Sequence, residues 1–146
     1  MRKPARALAL SLMFAFCCSA QETKPVPKTA YTPVPVKAAR EPNPVKSTPE
    51  SIAEGKTIYG YDCAQCHGAS GDGKTVAGKQ MKVPDLTDPE LLKDRSDGEL
   101  FYVIKNGGAN MPREADRAQP EQLWDLVNYV RSLARTQPPA EATPSK

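Results

Sequence analysis

Two cysteines separated by two residues, with the only histidine of the chain directly after the second, form the stretch Cys63-Ala64-Gln65-Cys66-His67. Nothing else in the 146 residues restricts the fold so tightly. On a helix, positions i and i+3 face the same way, so both thiols can reach one object together. The spacing is that of covalent haem c attachment, in which the thiols become thioethers and the following imidazole coordinates the iron. Two other chemistries use Cys-x-x-Cys. A thioredoxin-like redox pair belongs beside a βαβ pattern, which the sequence lacks. A zinc site needs further Cys or His ligands, and His67 stands alone. Cys63 and Cys66 are therefore expected to hold one haem c, with His67 as proximal ligand to its iron.

The N-terminus places this chemistry outside the cytoplasm. Arg2, Lys3 and Arg6 precede an apolar run from Ala7 to Phe16 that is too short to span a bilayer. Cys18-Ser19-Ala20 then offers small residues before a cut at Gln21, so residues 1–20 read as a secretory signal peptide and the product as periplasmic. The rival reading acylates Cys17 or Cys18 and tethers the chain at the outer face of a membrane, although Phe16 directly before Cys17 suits lipoprotein processing poorly. After a cut at Gln21 only Cys63 and Cys66 remain, and haem consumes both, leaving no disulfide framework.

Residues 21–47 read as a disordered linker. Prolines alternate with other residues in Lys24-Pro25-Val26-Pro27-Lys28 and again in Thr32-Pro33-Val34-Pro35-Val36, and Glu41-Pro42-Asn43-Pro44 follows. Such a run excludes helix and starves a strand of donors, which leaves extended polyproline II. The expected role is a semi-rigid spacer, whose removal should leave the haem site untouched. The tail over 137–146 is likewise expected to be disordered. Between them, residues 48–136 make one small domain whose core is marginal by surface-to-volume scaling and which a buried haem would enlarge. That domain has 11 basic and 14 acidic residues, whereas the linker has five basic and two acidic. This balance is not that of a nucleic-acid-binding protein.

The domain reads as all-α, with three main helices. Thr48 and Pro49 open the first, with Ile52, Gly55, Ile58 and Tyr59 along one face leading into Cys63. Gly55 is costly inside a helix, and close approach by another backbone is the best reason for it. The second helix runs from Asp97 to about Lys105, capped by Ser96 or Asp97 and stopped at Asn106-Gly107, with Leu100, Phe101, Val103 and Ile104 as its apolar face. The third runs from Pro120 to about Ala134, with Leu123, Leu126, Val127, Val130 and Leu133 forming its stripe. Trp124 and Tyr129 on this helix are expected to pack in the core rather than relay electrons. For the sixth iron ligand the candidates are Met111, Met81 or no methionine. Met111 is favoured: it lies in Asn106-Gly-Gly-Ala-Asn-Met111-Pro112, a loop stiffened by proline just after a helix and far enough from His67 to reach the opposite haem face. A thioether there favours Fe(II) and raises the reduction potential relative to two imidazoles.

These residues resemble the class I cytochromes c over about Ser51–Leu133. The likeness rests on Gly55 and Tyr59 before the haem motif, Cys63-Ala-Gln-Cys66-His67-Gly68, Pro84-Asp85-Leu86, Gly107-Gly108-Ala109-Asn110-Met111-Pro112, and Trp124 with Val127-Asn128-Tyr129-Val130. The resemblance implies a cytochrome c-like fold, three main helices around one covalently bound haem, with the first and third crossing near Gly55. It further implies that the Pro84 carbonyl accepts a hydrogen bond from the His67 imidazole, which fixes the ring and raises its basicity, and that Leu86 packs in the haem pocket. The function expected is that of an exported one-haem electron carrier, not an enzyme, cycling between Fe(III) and Fe(II) with redox proteins of respiratory or dehydrogenase complexes as partners. The alternative is a haem domain with a labile sixth ligand that binds or acts on peroxide, NO or CO.

Overall fold

The computed structural model describes residues 32–108 and 110–135. The expected signal peptide, the expected cut at Gln21, Cys17, Cys18 and the C-terminal tail lie outside the described residues. Seven helices occur among the described residues, with no strand: α1 (Val36–Ala39), α2 (Pro49–Asp62), α3 (Ala64–His67), α4 (Val76–Met81), α5 (Pro89–Leu92), α6 (Asp97–Asn106) and α7 (Pro120–Arg135). The fold is all-α, as expected.

The three long helices begin where their sequence signals stand. Thr48 is the N-cap of α2, its hydroxyl accepting from the Ser51 N–H at 3.3 Å, and Pro49 fills the first position, where its missing donor costs nothing. Ser96 caps α6 in a reciprocal box with Glu99: the Ser96 hydroxyl accepts from the Glu99 N–H at 3.1 Å, and the Glu99 carboxylate accepts from the Ser96 N–H at 2.8 Å. Gly107 ends α6 with φ +71. The one-turn helices α1, α4 and α5 have no apolar period long enough to announce them.

The core lies where α2 crosses α7. Tyr59, Leu123, Leu126 and Val127 are fully buried there, with Ile52 and Ile58 packed at the margin. A Cβ on Gly55 would stand 2.1 Å from the Asp125 carbonyl oxygen and 2.9 Å from the Tyr129 Cβ, so the two helices touch backbone to backbone at that residue. Tyr129 meets Tyr59 edge-on, ring centroids 5.0 Å apart, and Trp124 stacks on Phe101 of α6 at 4.0 Å. Both aromatics of α7 are thus packing residues. Beside the crossing a buried polar chain links the helices: the Asn128 amide donates to Ser51 Oγ at 2.8 Å, and Ser51 Oγ donates to Asp125 Oδ1 at 2.6 Å. Arg131 ties α7 to the other side, donating to Asp97 Oδ1 at 2.8 Å and to the Leu92 carbonyl at 2.7 Å.

The linker departs from expectation. From Thr32 onward it is packed onto the domain rather than extended into solvent: α1 lies against α6, Asn43 donates to Asn128 Oδ1 at 2.9 Å, and Val45 packs on the core. Proline removes donors but leaves carbonyls, and those of Ala39, Val45 and Lys46 find donors on Ser96 and Asn128.

Gly55→Ala is expected to destabilise the holoprotein by about 1–3 kcal/mol through overpacking, despite the helix propensity gained. Gly60→Ala, at a position where a Cβ would meet nothing within 4 Å, should instead be neutral or stabilising by up to about 1 kcal/mol. Denaturant unfolding of the two variants checks the contrast.

Candidate haem site

The motif residues sit on a single tight turn that follows α2 almost without a break. Cys63 ends α2, its N–H donating to the Tyr59 carbonyl at 3.0 Å, and its own carbonyl accepts from the Cys66 and His67 N–H groups at 3.1 and 2.9 Å. Every later carbonyl of the turn but one is also engaged. Ala64 accepts from the Gly68 N–H at 2.9 Å, Cys66 from the Thr75 hydroxyl at 2.9 Å, His67 from the Gly73 N–H at 2.8 Å, and Gly68 from the buried Tyr59 hydroxyl at 2.8 Å. The motif backbone is therefore fixed from α2, from α4 and from the loop that follows it. Gly78 of α4 is placed so close that a Cβ would stand 2.4 Å from the Cys66 carbonyl oxygen. Tyr59 and Gly78 are positioning residues for the motif. The sequence marks Tyr59 as part of the helix face leading into the motif and of the family resemblance, but its hydroxyl bond to Gly68 has no sequence signal.

Cys63 and Cys66 are both unpaired and half-buried. Burial, reinforced by the negative charges of Glu114 and Asp62, pushes the Cys63 thiol up to about 12. A disulfide-exchange cysteine needs the opposite, a thiol lowered toward neutrality. The environment thus speaks against the redox-pair chemistry that the same spacing serves elsewhere. Burial also pulls the His67 imidazole below its ordinary value, and the Pro84 backbone partly offsets this. His67 Nδ1 is buried with no hydrogen-bond partner. Two free thiols one turn apart and a buried neutral imidazole with an unsatisfied nitrogen form a donor set that fits a covalent haem.

The other expected site residues come to the same core. Leu86 and Met111 pack against its edge together with Cys63 and Ala64, whereas Met81 is not among the residues packed there. Leu86 is held by its N–H, which donates to the Gly71 carbonyl at 2.8 Å. Met111 closes a small turn with Gly108, each N–H donating to the other carbonyl at 2.9 and 3.3 Å. The chain then returns to α6, where the Glu114 and Ala115 N–H groups satisfy the Ile104 and Lys105 carbonyls at 3.1 and 3.2 Å. The Met111 loop is in this way hung from the C-terminal end of α6. Glu114 itself is buried, with Arg117 bridging it to Asp62 at 3.3 and 3.4 Å and with its Oε1 unpartnered. No sequence pattern marked Glu114.

Fold and motif together define a small domain built to carry one haem c. Residues 50–130 match the family described as cytochrome c oxidase, cbb3-type, subunit III. The chain is 34% identical over 127 residues to the quinohemoprotein alcohol dehydrogenase ADH IIB of Pseudomonas putida, a match that covers 83% of this chain and 16% of that protein. It is 33% identical over 90 residues to the cbb3-type cytochrome c oxidase subunit CcoP of Azospirillum brasilense, covering 60% of this chain and 30% of CcoP. Cytochrome c6 of Cladophora glomerata is 31% identical over 85 residues, 58% of this chain and 91% of that protein. Among solved structures, the KustC0563 c-type cytochrome is 28% identical with a TM-score of 0.51, covering 54% of this chain and 95% of that one. The Kuenenia stuttgartiensis reducing HAO-like protein complex Kustc0457/Kustc0458 is 27% identical with a TM-score of 0.56, covering 62% of this chain and 46% of that one. The chain belongs to the c-type cytochromes, as a small monohaem domain like those of cbb3-type oxidase subunit III and cytochrome c6. Its cofactor is covalent haem c with iron. The chain spans less than a third of the oxidase subunit and about a sixth of the dehydrogenase.

Burial raises the Glu114 carboxyl above its ordinary value, the nearby Asp62 charge adds to this, and Arg117 opposes both. Stability owed to protonated Glu114 is complete below the ordinary value of 4.5 and is lost as pH rises through the raised one. Glu114→Gln is therefore expected to raise the melting temperature of the holoprotein at neutral pH. That gain should shrink toward zero in acid below the ordinary glutamate value, as thermal melts across the range would record.

Proposed function

We propose that this protein is an exported single-electron carrier, with Cys63 and Cys66 as the thioether residues, His67 as the proximal iron ligand and Met111 as the distal one. The observation that carries the reading is the fixed Cys63–Gly68 turn, which presents two free thiols and the His67 imidazole on a core edge shared with Met111. Haem c supplies the one-electron couple of its iron. The chain's own residues hold the imidazole and exclude water. The Pro84 carbonyl is the group toward which the second His67 nitrogen would donate, setting ring orientation and basicity, and Leu86 supplies apolar wall. The Met111 thioether would be the chain's second donor to the iron, which would favour rapid electron exchange over chemistry on a bound small molecule. Haem domains of this family serve electron transfer, some within oxidase or dehydrogenase complexes. The partners proposed are accordingly larger redox enzymes of those respiratory or dehydrogenase classes.

Export by residues 1–20 and a periplasmic product are part of the same proposal, with a lipid tether at Cys17 or Cys18 as the second form. No helix among the described residues is long and apolar enough to cross a membrane. Intact mass of the protein recovered after export separates the two forms. A chain starting at Gln21 with one added haem is expected, and acyl mass on Cys17 or Cys18 would replace that reading with the tethered one.

Ligation is tested by substitution in the exported holoprotein. Cys66→Ala should abolish or sharply reduce covalently bound haem after acid-acetone extraction. Met111→Ala should erase the weak far-red band that reports sulfur on ferric haem, lower the potential and open the ferrous iron to CO. Met81→Ala should do none of these. Loss of the band in Met81→Ala alone would reverse the assignment.

A further inference from the structure

Two glycines of the domain, Gly98 and Gly108, are crowded by the segment before α2. Gly98 lies in the first turn of α6, where glycine costs helix stability, and the three heavy atoms nearest to a Cβ there are the Ala38 carbonyl oxygen at 2.2 Å, the Glu41 carbonyl oxygen at 2.8 Å and the Glu41 nitrogen at 3.1 Å. Gly108 has no positive φ, so its backbone would accept any residue, and the only atoms a Cβ would meet within 4 Å belong to Thr32, its Oγ1 at 2.6 Å and its Cβ at 4.0 Å. Both glycines make room for the segment before α2. That segment is fastened at three places. Thr32 Oγ1 donates to the Gly107 carbonyl at 3.5 Å, Ser96 Oγ donates to the Ala39 carbonyl at 2.5 Å, and the buried Asn128 amide donates to the Val45 and Lys46 carbonyls at 3.2 and 3.4 Å. It runs along α6 from its N-terminal cap to the residue that ends it.

We propose that residues Thr32–Lys46 form a strap that positions the Met111 loop by gripping α6 at both ends and closing over Gly107 and Gly108. The consequence for the iron rests on Met111 being its distal ligand, as proposed above. The contact with the loop does not. A thioether is a weak ligand, and its residence on iron depends on how little its loop can move away. The Met111 loop hangs from α6 by the Ile104 and Lys105 carbonyls on its inner side. The strap is what holds it from the outer side. Thr32, Gly98 and Gly108 are positioning residues for that loop.

The test uses the full-length holoprotein with three changes: Thr32→Gly, which removes the clasp with no new bulk; Gly98→Val, which wedges α1 off α6; and deletion of residues 24–31, which removes chain before the strap. Amide hydrogen exchange at Gly108, Asn110 and Met111 is the first readout. CO binding to the ferrous form and the pH at which the ferric far-red band is lost are the second. Thr32→Gly and Gly98→Val should speed exchange at the loop and CO binding on the order of fivefold, the scale of one lost contact. They should also move loss of the band to lower pH, with haem still covalently attached. The 24–31 deletion should match the parent in all three. Unchanged loop exchange in Thr32→Gly overturns the strap whatever the ligation. Faster loop exchange with unchanged CO binding and band, in a protein whose Met111→Ala variant does lose the band, overturns its role at the iron. If Met111→Ala keeps the band, the ligand assignment fails, and the exchange result alone decides the strap.

Discussion

The contact between Gly55 and the Asp125 carbonyl decides how the rest of the molecule can be arranged. With hydrogen as its side chain, residue 55 lets α2 and α7 meet at backbone distance, and any Cβ would force them apart. That separation sets the place of Tyr59, one turn further along α2, whose ring meets Tyr129 and whose hydroxyl reaches the Gly68 carbonyl at 2.8 Å. Gly68 closes the haem-motif turn. A change of an ångström at the crossing is thereby delivered to the residues that must meet a rigid macrocycle. Covalent attachment tolerates little error in the relative placement of two sulfurs and a nitrogen. The domain meets that demand by building the motif turn as a continuation of the helix that crosses its most buried one.

The motif turn is also a dense set of backbone hydrogen bonds around side chains that make few bonds to protein. Cys63, Cys66 and His67 have engaged carbonyls, yet their thiols are unpaired and the His67 Nδ1 is unsatisfied. Buried polar atoms are ordinarily paired, and the exceptions ask for a reason. Here the two thiols left over carry the spacing of haem c attachment. The raised Cys63 thiol belongs to the same pattern, because a buried thiol beside carboxylates is poorly suited to disulfide exchange.

Much of the architecture was legible from residue order. The attachment motif, the Thr48-Pro49 and Ser96 starts, the Gly107 stop and the crossing at Gly55 each follow from local chemistry that operates within a few residues, and each stands in the structure where it was expected. From Thr32 onward the linker departs from expectation for an equally physical reason. Alternating prolines say that a segment cannot make its own helix or sheet, but not whether its free carbonyls will find donors elsewhere. The donors that matter are Ser96 and Asn128, tens of residues away, and the space that admits the strap is two glycines whose purpose is invisible until the chain is folded. Glu114 escaped notice likewise, since a lone glutamate in a polar loop carries no mark of burial. Met111 packs on the core edge together with Leu86, Cys63 and Ala64.

The strap also redraws the mechanics of whatever lies upstream. The fifteen residues from Thr32 to Lys46, which fully stretched would reach about 50 Å, are laid along α6 and so add nothing to the domain's distance from any mooring. Thr32 abuts Gly107 and Gly108, so the described chain begins beside the Met111 loop. A domain moored through that point would swing about the loop like a boat on a short line, with the Met111 side turned toward the mooring and the outward face of α2, with exposed Tyr61, free to sweep a different arc.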